Sequence, residues 1–137
     1  MANLIYPKWK EARLQSTANA ALDGSTTTGV FAVLIDTALY TYSASHEFYS
    51  SISAAIVGAE QELTSKTFVA GLFDAADSSF PAVTGASIEA VVLFVKNAGA
   101  NTTWRLFKYI DTATGLPKTP DGGAIPVIWN ASGIVQL

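Results

Sequence analysis

Residues 87–96 and 103–110 constrain this chain more than any other part of it. In the first stretch Ile88, Ala90, Val92 and Phe94 fall on one face, and Val91, Leu93 and Val95 on the other. In the second, Trp104, Leu106, Lys108 and Ile110 alternate with Arg105, Phe107 and Tyr109. Alternation with period two marks strands, and the intervening loop 97–101 predicts that the two pair as a central hairpin. Residues 29–36 add a continuous apolar run bounded by Gly29 and Asp36, as expected of a strand covered on both faces.

Other segments speak less strongly. Residues 47–50 form a short candidate strand. Residues 66–69 and 72–73 flank Gly71, which reads as a bulge or bend. Pro81 places 80–83 at an edge, and Pro126 does the same for 125–129. Residues 133–137 then complete either a second hairpin or a broken strand. At the other end, 3–15 reads as a short helix. Pro7 suits its first turn, Asn3 is a candidate cap, and Ile5, Trp9 and Ala12 form an apolar stripe opposite Lys8 and Glu11. A helix this short does not stand alone in water, so it packs on its own sheet or on a partner. The segments 16–28 and 111–124 read as polar connections. The expected architecture is mainly β: an antiparallel β-sandwich or partly open barrel with one short N-terminal α-helix. One domain spans 1–137, with a helical arm over 1–15 and the β domain over 29–137, a usual size for a single core. The tetrapeptide Ile-Asp-Thr-Ala ends two strands, at 35–38 and at 110–113, where Asp and Thr are expected to close local turns.

Composition narrows the chemistry. The chain has one histidine, His46, no cysteine, and only 14% charged residues, against about 25% in an ordinary soluble domain. Nucleophile–base pairs and metal sites draw on the residues that are scarce here. No Gly-x-Ser-x-Gly elbow occurs. Asp74, Asp77 and Ser78 are too few oxygens for Ca²⁺, and Asp121-Gly-Gly123 reads as a turn, not a phosphate cradle. Glu89 is read as an edge residue or a partner-contact charge. The expectation is a protein that is not an enzyme, with no catalytic, cofactor-binding or metal-ligating residues. A net charge of −3 argues against general nucleic-acid binding. No apolar run is long enough for a membrane span. The start of the chain, apolar before Pro7 and then basic at Lys8, Lys10 and Arg13, has the wrong order for a signal peptide, so the protein is read as made and used without export. Trp9, Trp104, Trp129, Tyr40, Tyr42 and Tyr49 suit a core or a protein interface, with a carbohydrate-stacking face as the other reading.

A run of motifs then carries a resemblance. It opens with Ala2-Asn-Leu-Ile-Tyr-Pro-Lys-Trp-Lys-Glu-Ala12 and continues through Val33-Leu-Ile-Asp-Thr37, Tyr40-Thr-Tyr42 and His46-Glu-Phe-Tyr-Ser50. It extends through Ser65-Lys-Thr-Phe68, Gly71-Leu-Phe-Asp74, Phe80-Pro-Ala-Val-Thr-Gly85, Glu89-Ala-Val-Val92, Tyr109-Ile-Asp-Thr-Ala-Thr-Gly-Leu-Pro117 and Ile128-Trp-Asn130. In order and spacing these are similar to small structural proteins of tailed-bacteriophage virions. The resemblance implies a virion part assembled in the host cytoplasm, and brings no catalytic residues. Within that class the expectation is a capsid decoration (cement) protein on the outer capsid lattice, whose partners are the major capsid protein or other virion proteins, self-association being compatible. A tail or fibre component that recognises host glycans is the alternative. The candidate contact is the basic helix, with Lys8, Trp9, Lys10 and Arg13 as partner-binding residues.

Overall fold

The computed structural model describes residues 3–23 and 29–136. In chain order its elements are β1 (Leu4–Ile5), α1 (Pro7–Leu14), β2 (Gly29–Ile35), β3 (Ile56–Glu62), β4 (Thr67–Val69), β5 (Leu72–Asp74), β6 (Ser78–Phe80), β7 (Ala90–Lys96), β8 (Arg105–Ile110), β9 (Ile125–Val127) and β10 (Val135–Gln136). They form three antiparallel sheets, ordered β1-β8-β7-β2-β3, β10-β5-β4 and β6-β9. The fold is mainly β with one helix, sandwich-like, and its sheets do not close into a barrel.

The expected central hairpin is β7–β8, and β2 lies on its other side, pairing with β7 along its whole length. Every residue of β2 and the first six of β7 are buried, so covering both faces is what holds this sheet together. The alternation expected along β8 breaks at one point. Leu93 pairs with Lys108, and its neighbour Phe94 pairs with Leu106, so Phe107 is an extra residue on β8. This bulge lets Leu106 and Phe107 both be buried although they are adjacent.

The helix begins later than its apolar spacing suggests. Pro7 occupies its first turn, and Tyr6 before it is extended (φ −65°, ψ 122°), as the residue ahead of a proline prefers. Leu4 and Ile5 therefore pair with Tyr109 and Lys108 instead of joining the helix, and Asn3 accepts a hydrogen bond from Thr112 instead of capping. At the other end Thr17 N–H donates to Ala12 O (2.8 Å) and Ser16 N–H to Arg13 O (3.2 Å). With Ser16 at φ 53°, this is a Schellman stop. The polar connection read over 16–28 is described only as far as Asp23. It is tied to the sheet by Arg105, which donates from Nε to Ala18 O (3.0 Å) and from a terminal nitrogen to Glu47 (2.7 Å).

Four further expectations change. Gly71 is neither bulge nor bend: Ala70 and Gly71, both at positive φ, form the two-residue turn joining β4 to β5. Residues 125–137 do not make a hairpin, because β9 pairs with β6 and β10 with β5. In 47–50, Phe48 bridges to Arg105, but the backbone then turns at Tyr49–Ser51. Glu89 does not simply face water at an edge. Its Oε1 accepts from Thr37 N (2.9 Å) and Thr37 Oγ1 (3.0 Å), fastening the turn after β2. Burial would raise this carboxyl, but the hydrogen bonds from Ser87 and Thr37 outweigh it and leave it below its ordinary range. In that same turn Asp36 accepts from Ala38 N (2.9 Å), as expected of the tetrapeptide. The second copy differs: Asp111 Oδ1 is buried without a hydrogen-bond partner.

Gly133 seats β10 against β5. Its φ is +98°, and a Cβ there would stand 2.5 Å from Leu72 Cδ1 and 2.9 Å from Leu72 Cγ. Gly133→Ala combines left-handed strain with overpacking and is expected to cost about 2–4 kcal/mol. Urea unfolding of the variant checks this; a loss below about 0.5 kcal/mol would mean that Leu72 simply swings aside.

Candidate functional site

Phe107 is where helix, central sheet and second sheet meet. The Trp9 ring lies 4.5 Å from it, and Phe73 of β5 meets it edge-on at 5.9 Å. Phe73 is in turn stacked at 5.3 Å on Phe68 of β4. An aromatic column thus runs from the helix through the core to the surface, where Phe68 is 49% exposed. Beside it opens an apolar groove of about 450 Å³, walled by Trp9, Leu22, Phe68, Leu72, Phe73 and Val135, with Arg13 and Asp23 as its charged lining.

The reason Phe68 reaches the surface is local. In Thr67-Phe-Val69 two large apolar residues are adjacent, and neighbours on a strand point to opposite faces, so a strand covered on one face leaves one of them outward. Here all three residues of β4 are exposed, Val69 by 69%. Among the described strands β4 pairs only with β5, so its other edge has no partner strand. Leu14, at the end of α1, is 88% exposed. Clusters of exposed apolar side chains with an open strand edge mark contact surfaces in soluble proteins.

The basic helix contributes to this face in an unexpected way. Trp9 is 2% exposed and donates from Nε1 to Ala20 O (3.0 Å). It is a core residue that only backs the groove, so it does not project as part of a peg. With Ala12, also buried, it turns the apolar stripe of α1 inward. Lys8 is paired with Glu11 (2.9 Å) on the solvent side. Lys10 is exposed and Arg13 lines the groove; helical spacing sets Lys10, Arg13 and Leu14 along one side of α1. The structure brings Trp9 and Arg13 to one site and leaves Lys8 outside it. Sequence reasoning missed Leu14, Phe68, Val69 and Leu72. The adjacent apolar pair in β4 was the signal that could have revealed two of them.

The remaining aromatics are largely structural. Trp129 is buried and donates to Ala76 O (3.0 Å), and its backbone N–H donates to Asp77 (3.0 Å). Trp104, half-buried, stacks on Phe94 at 5.8 Å, and the Lys96 ammonium sits 4.9 Å from its ring. Tyr6, Tyr40, Tyr42 and Tyr109 cluster at the other end of the sheet. There the Tyr6 and Tyr40 hydroxyls share a hydrogen bond (2.7 Å), and Tyr40 reaches His46 Nδ1 (2.9 Å). Burial, first of all, pushes the Tyr6 hydroxyl far above the usual tyrosine range, with the bond to Tyr40 adding to it. The aromatics of the alternative, glycan-stacking reading are therefore not gathered on one open face.

Asp74 accepts from Ala75 N (2.9 Å) and Asp121 from Gly123 N (3.0 Å), which is turn chemistry. Among the described residues no three His, Asp or Glu side chains gather as a metal site. No described helix is long and apolar enough to cross a membrane. No protein-family model matches the chain, and no curated protein matches it either.

Proposed function

We propose that this chain is a structural protein of a tailed-bacteriophage virion, a capsid decoration protein that seats on the outer capsid lattice. The observation that supports this best is the apolar groove walled by the exposed Phe68 with Leu22 and Leu72, an apolar centre with Arg13 at hand for a partner's acidic group. The motif resemblance supplies the partner class, the major capsid protein. A rigid sandwich-like body with one apolar contact face suits a part whose affinity is multiplied by lattice repetition. Glycan recognition by a tail or fibre part draws no comparable support, since Trp9, Tyr40 and Trp129 are buried.

Two measurements test the proposal. Quantitative mass spectrometry of purified particles is expected to find the protein in hundreds of copies, in simple ratio to the capsid protein. A dozen or fewer copies would move it to the neck, tail or fibre, and none would end the virion reading. For the face itself, Phe68→Glu is expected to weaken binding to undecorated capsid shells at least tenfold while the far-UV circular dichroism stays unchanged. Undiminished binding would remove this face from the proposal.

A further inference from the structure

A second cavity, of about 440 Å³, lies away from the apolar groove, where the end of β8 meets residues 112–114 and 128–134. Its apolar wall includes Ile110, Ile128 and Ile134, and its polar lining is Asn3, Lys108, Thr112, Thr114 and Asn130. Among the described residues no carboxylate lines it, and Lys108 is the one charged group in its lining. Lys108 is there because of the bulge: skipping Phe107 sets Lys108 opposite Leu93, on an otherwise apolar part of the sheet.

The ammonium donates one hydrogen bond, to the Ile134 carbonyl. The ion pairs of the described residues are Lys8–Glu11, Lys96–Glu60 and Arg105–Glu47, none of which involves Lys108. An ammonium carries three donors, so two are left for what enters the cavity. The carboxamides beside it are oriented by their own bonds. Asn3 Oδ1 accepts from Thr112 Oγ1 (2.8 Å), and Asn130 Oδ1 accepts from Ser132 N (2.8 Å). Each oxygen is thus engaged once, and each side chain also carries an NH₂ group, which only donates. Burial also holds the Lys108 ammonium below the usual lysine range, the mark of a cation whose hydration is incompletely replaced.

We infer that this cavity binds a small monocarboxylate, its carboxylate on Lys108 with the Asn3 and Asn130 amides, its carbon skeleton against Ile110 and Ile128. One cation and neutral donors match a single negative charge. A phosphate group, with nearly two charges, would find neither an Arg fork nor a helix N-terminus here. The volume falls in the range of small-molecule sites, roughly 300–1,000 Å³. The same carboxylate chemistry is available from a free sugar acid or from an acidic side chain of a docked protein.

The test titrates the intact protein with sodium glucuronate and, separately, with a glutamate residue blocked at both termini, following the Lys108 ε-methylene signal by NMR. Saturable binding of either probe is expected. Glucose, the uncharged counterpart, is expected not to bind. The probe that binds tighter identifies the source. On saturation the Lys108 titration is expected to move to higher pH, because a bound carboxylate favours the charged amine. Lys108→Met is expected to weaken binding at least tenfold; Asn130→Ala, at an exposed position, tests the site should the first variant fold poorly. Absence of saturation with both probes, or unchanged affinity in both variants, overturns the assignment.

Discussion

Trp9→Ala is expected to destabilise the protein by about 3–5 kcal/mol, the range for deleting a fully buried tryptophan. The side chain is 2% exposed, lies 4.5 Å from Phe107, and satisfies the Ala20 carbonyl. Its removal empties the joint between α1, the bulge of β8 and the second sheet, and leaves that carbonyl without its donor. Against a typical total stability of about 5–15 kcal/mol, such a loss brings many domains near unfolding. Lys10→Ala, on the exposed side of the same helix, is expected to change stability by less than about 0.5 kcal/mol. Urea denaturation of the two variants side by side separates the possibilities. Were Trp9 a surface contact, its alanine variant would unfold at the same urea midpoint as the parent.

The second large effect is with pH. Burial raises the hydroxyl pKa of Tyr6, Tyr40 and Tyr109 in the folded protein, whereas in the unfolded chain each ionises near the ordinary value of about 10. The folded state then holds more protons than the unfolded state above that pH. Stability is therefore intact below about pH 10 and falls as pH rises beyond it, by at most about 1.4 kcal/mol per pH unit for Tyr6, the most strongly shifted, with Tyr40 and Tyr109 acting in the same direction. Unfolding curves between pH 8 and 11.5, with tyrosinate absorbance recorded alongside, are expected to show late ionisation coincident with unfolding. Tyr6→Phe is expected to make the slope shallower while costing about 1 kcal/mol at pH 7 through its lost bond to Tyr40. Smooth ionisation of all five tyrosines near pH 10 in a chain that stays folded would contradict this.

Where the sequence reading succeeded, local pattern and tertiary role coincided. β2, β7 and β8 carry enough apolar residues to declare themselves, and Pro126 lies in an edge strand as read, whereas Pro81 falls in the turn after β6. Where it failed, the determining partner lies far along the chain. β3 has little strand character in Gly58-Ala-Glu-Gln-Glu62, and is a strand because β2 presents an edge to it; its register slips between Ala32 and Leu34 to absorb the extra residues. Leu4 and Ile5 fit a helical stripe as well as a strand, and the neighbouring Pro7 decided. Residues 125–137 hold two apolar arms around a turn, yet each arm found a different strand. The groove was hidden for the same reason: its walls come from residues 9–22, 68–73 and 135, whose meeting depends on the bulge at Phe107. Trp9 could be seen as part of an apolar stripe, but nothing local says whether such a stripe faces its own sheet or a partner.

The aromatic column also makes the molecule its own optical reporter. Trp9 backs the groove from inside, while Trp104 stacks on Phe94 and Trp129 is held by Ala76 and Asp77, each bonded elsewhere. Indole emission responds to the polarity of its surroundings, and a partner seated over Phe68 and Leu72 displaces water from the surface next to one indole of the three. With Trp104 and Trp129 replaced by phenylalanine, a single intrinsic fluorophore would register occupancy of the groove without any label attached to the contact face.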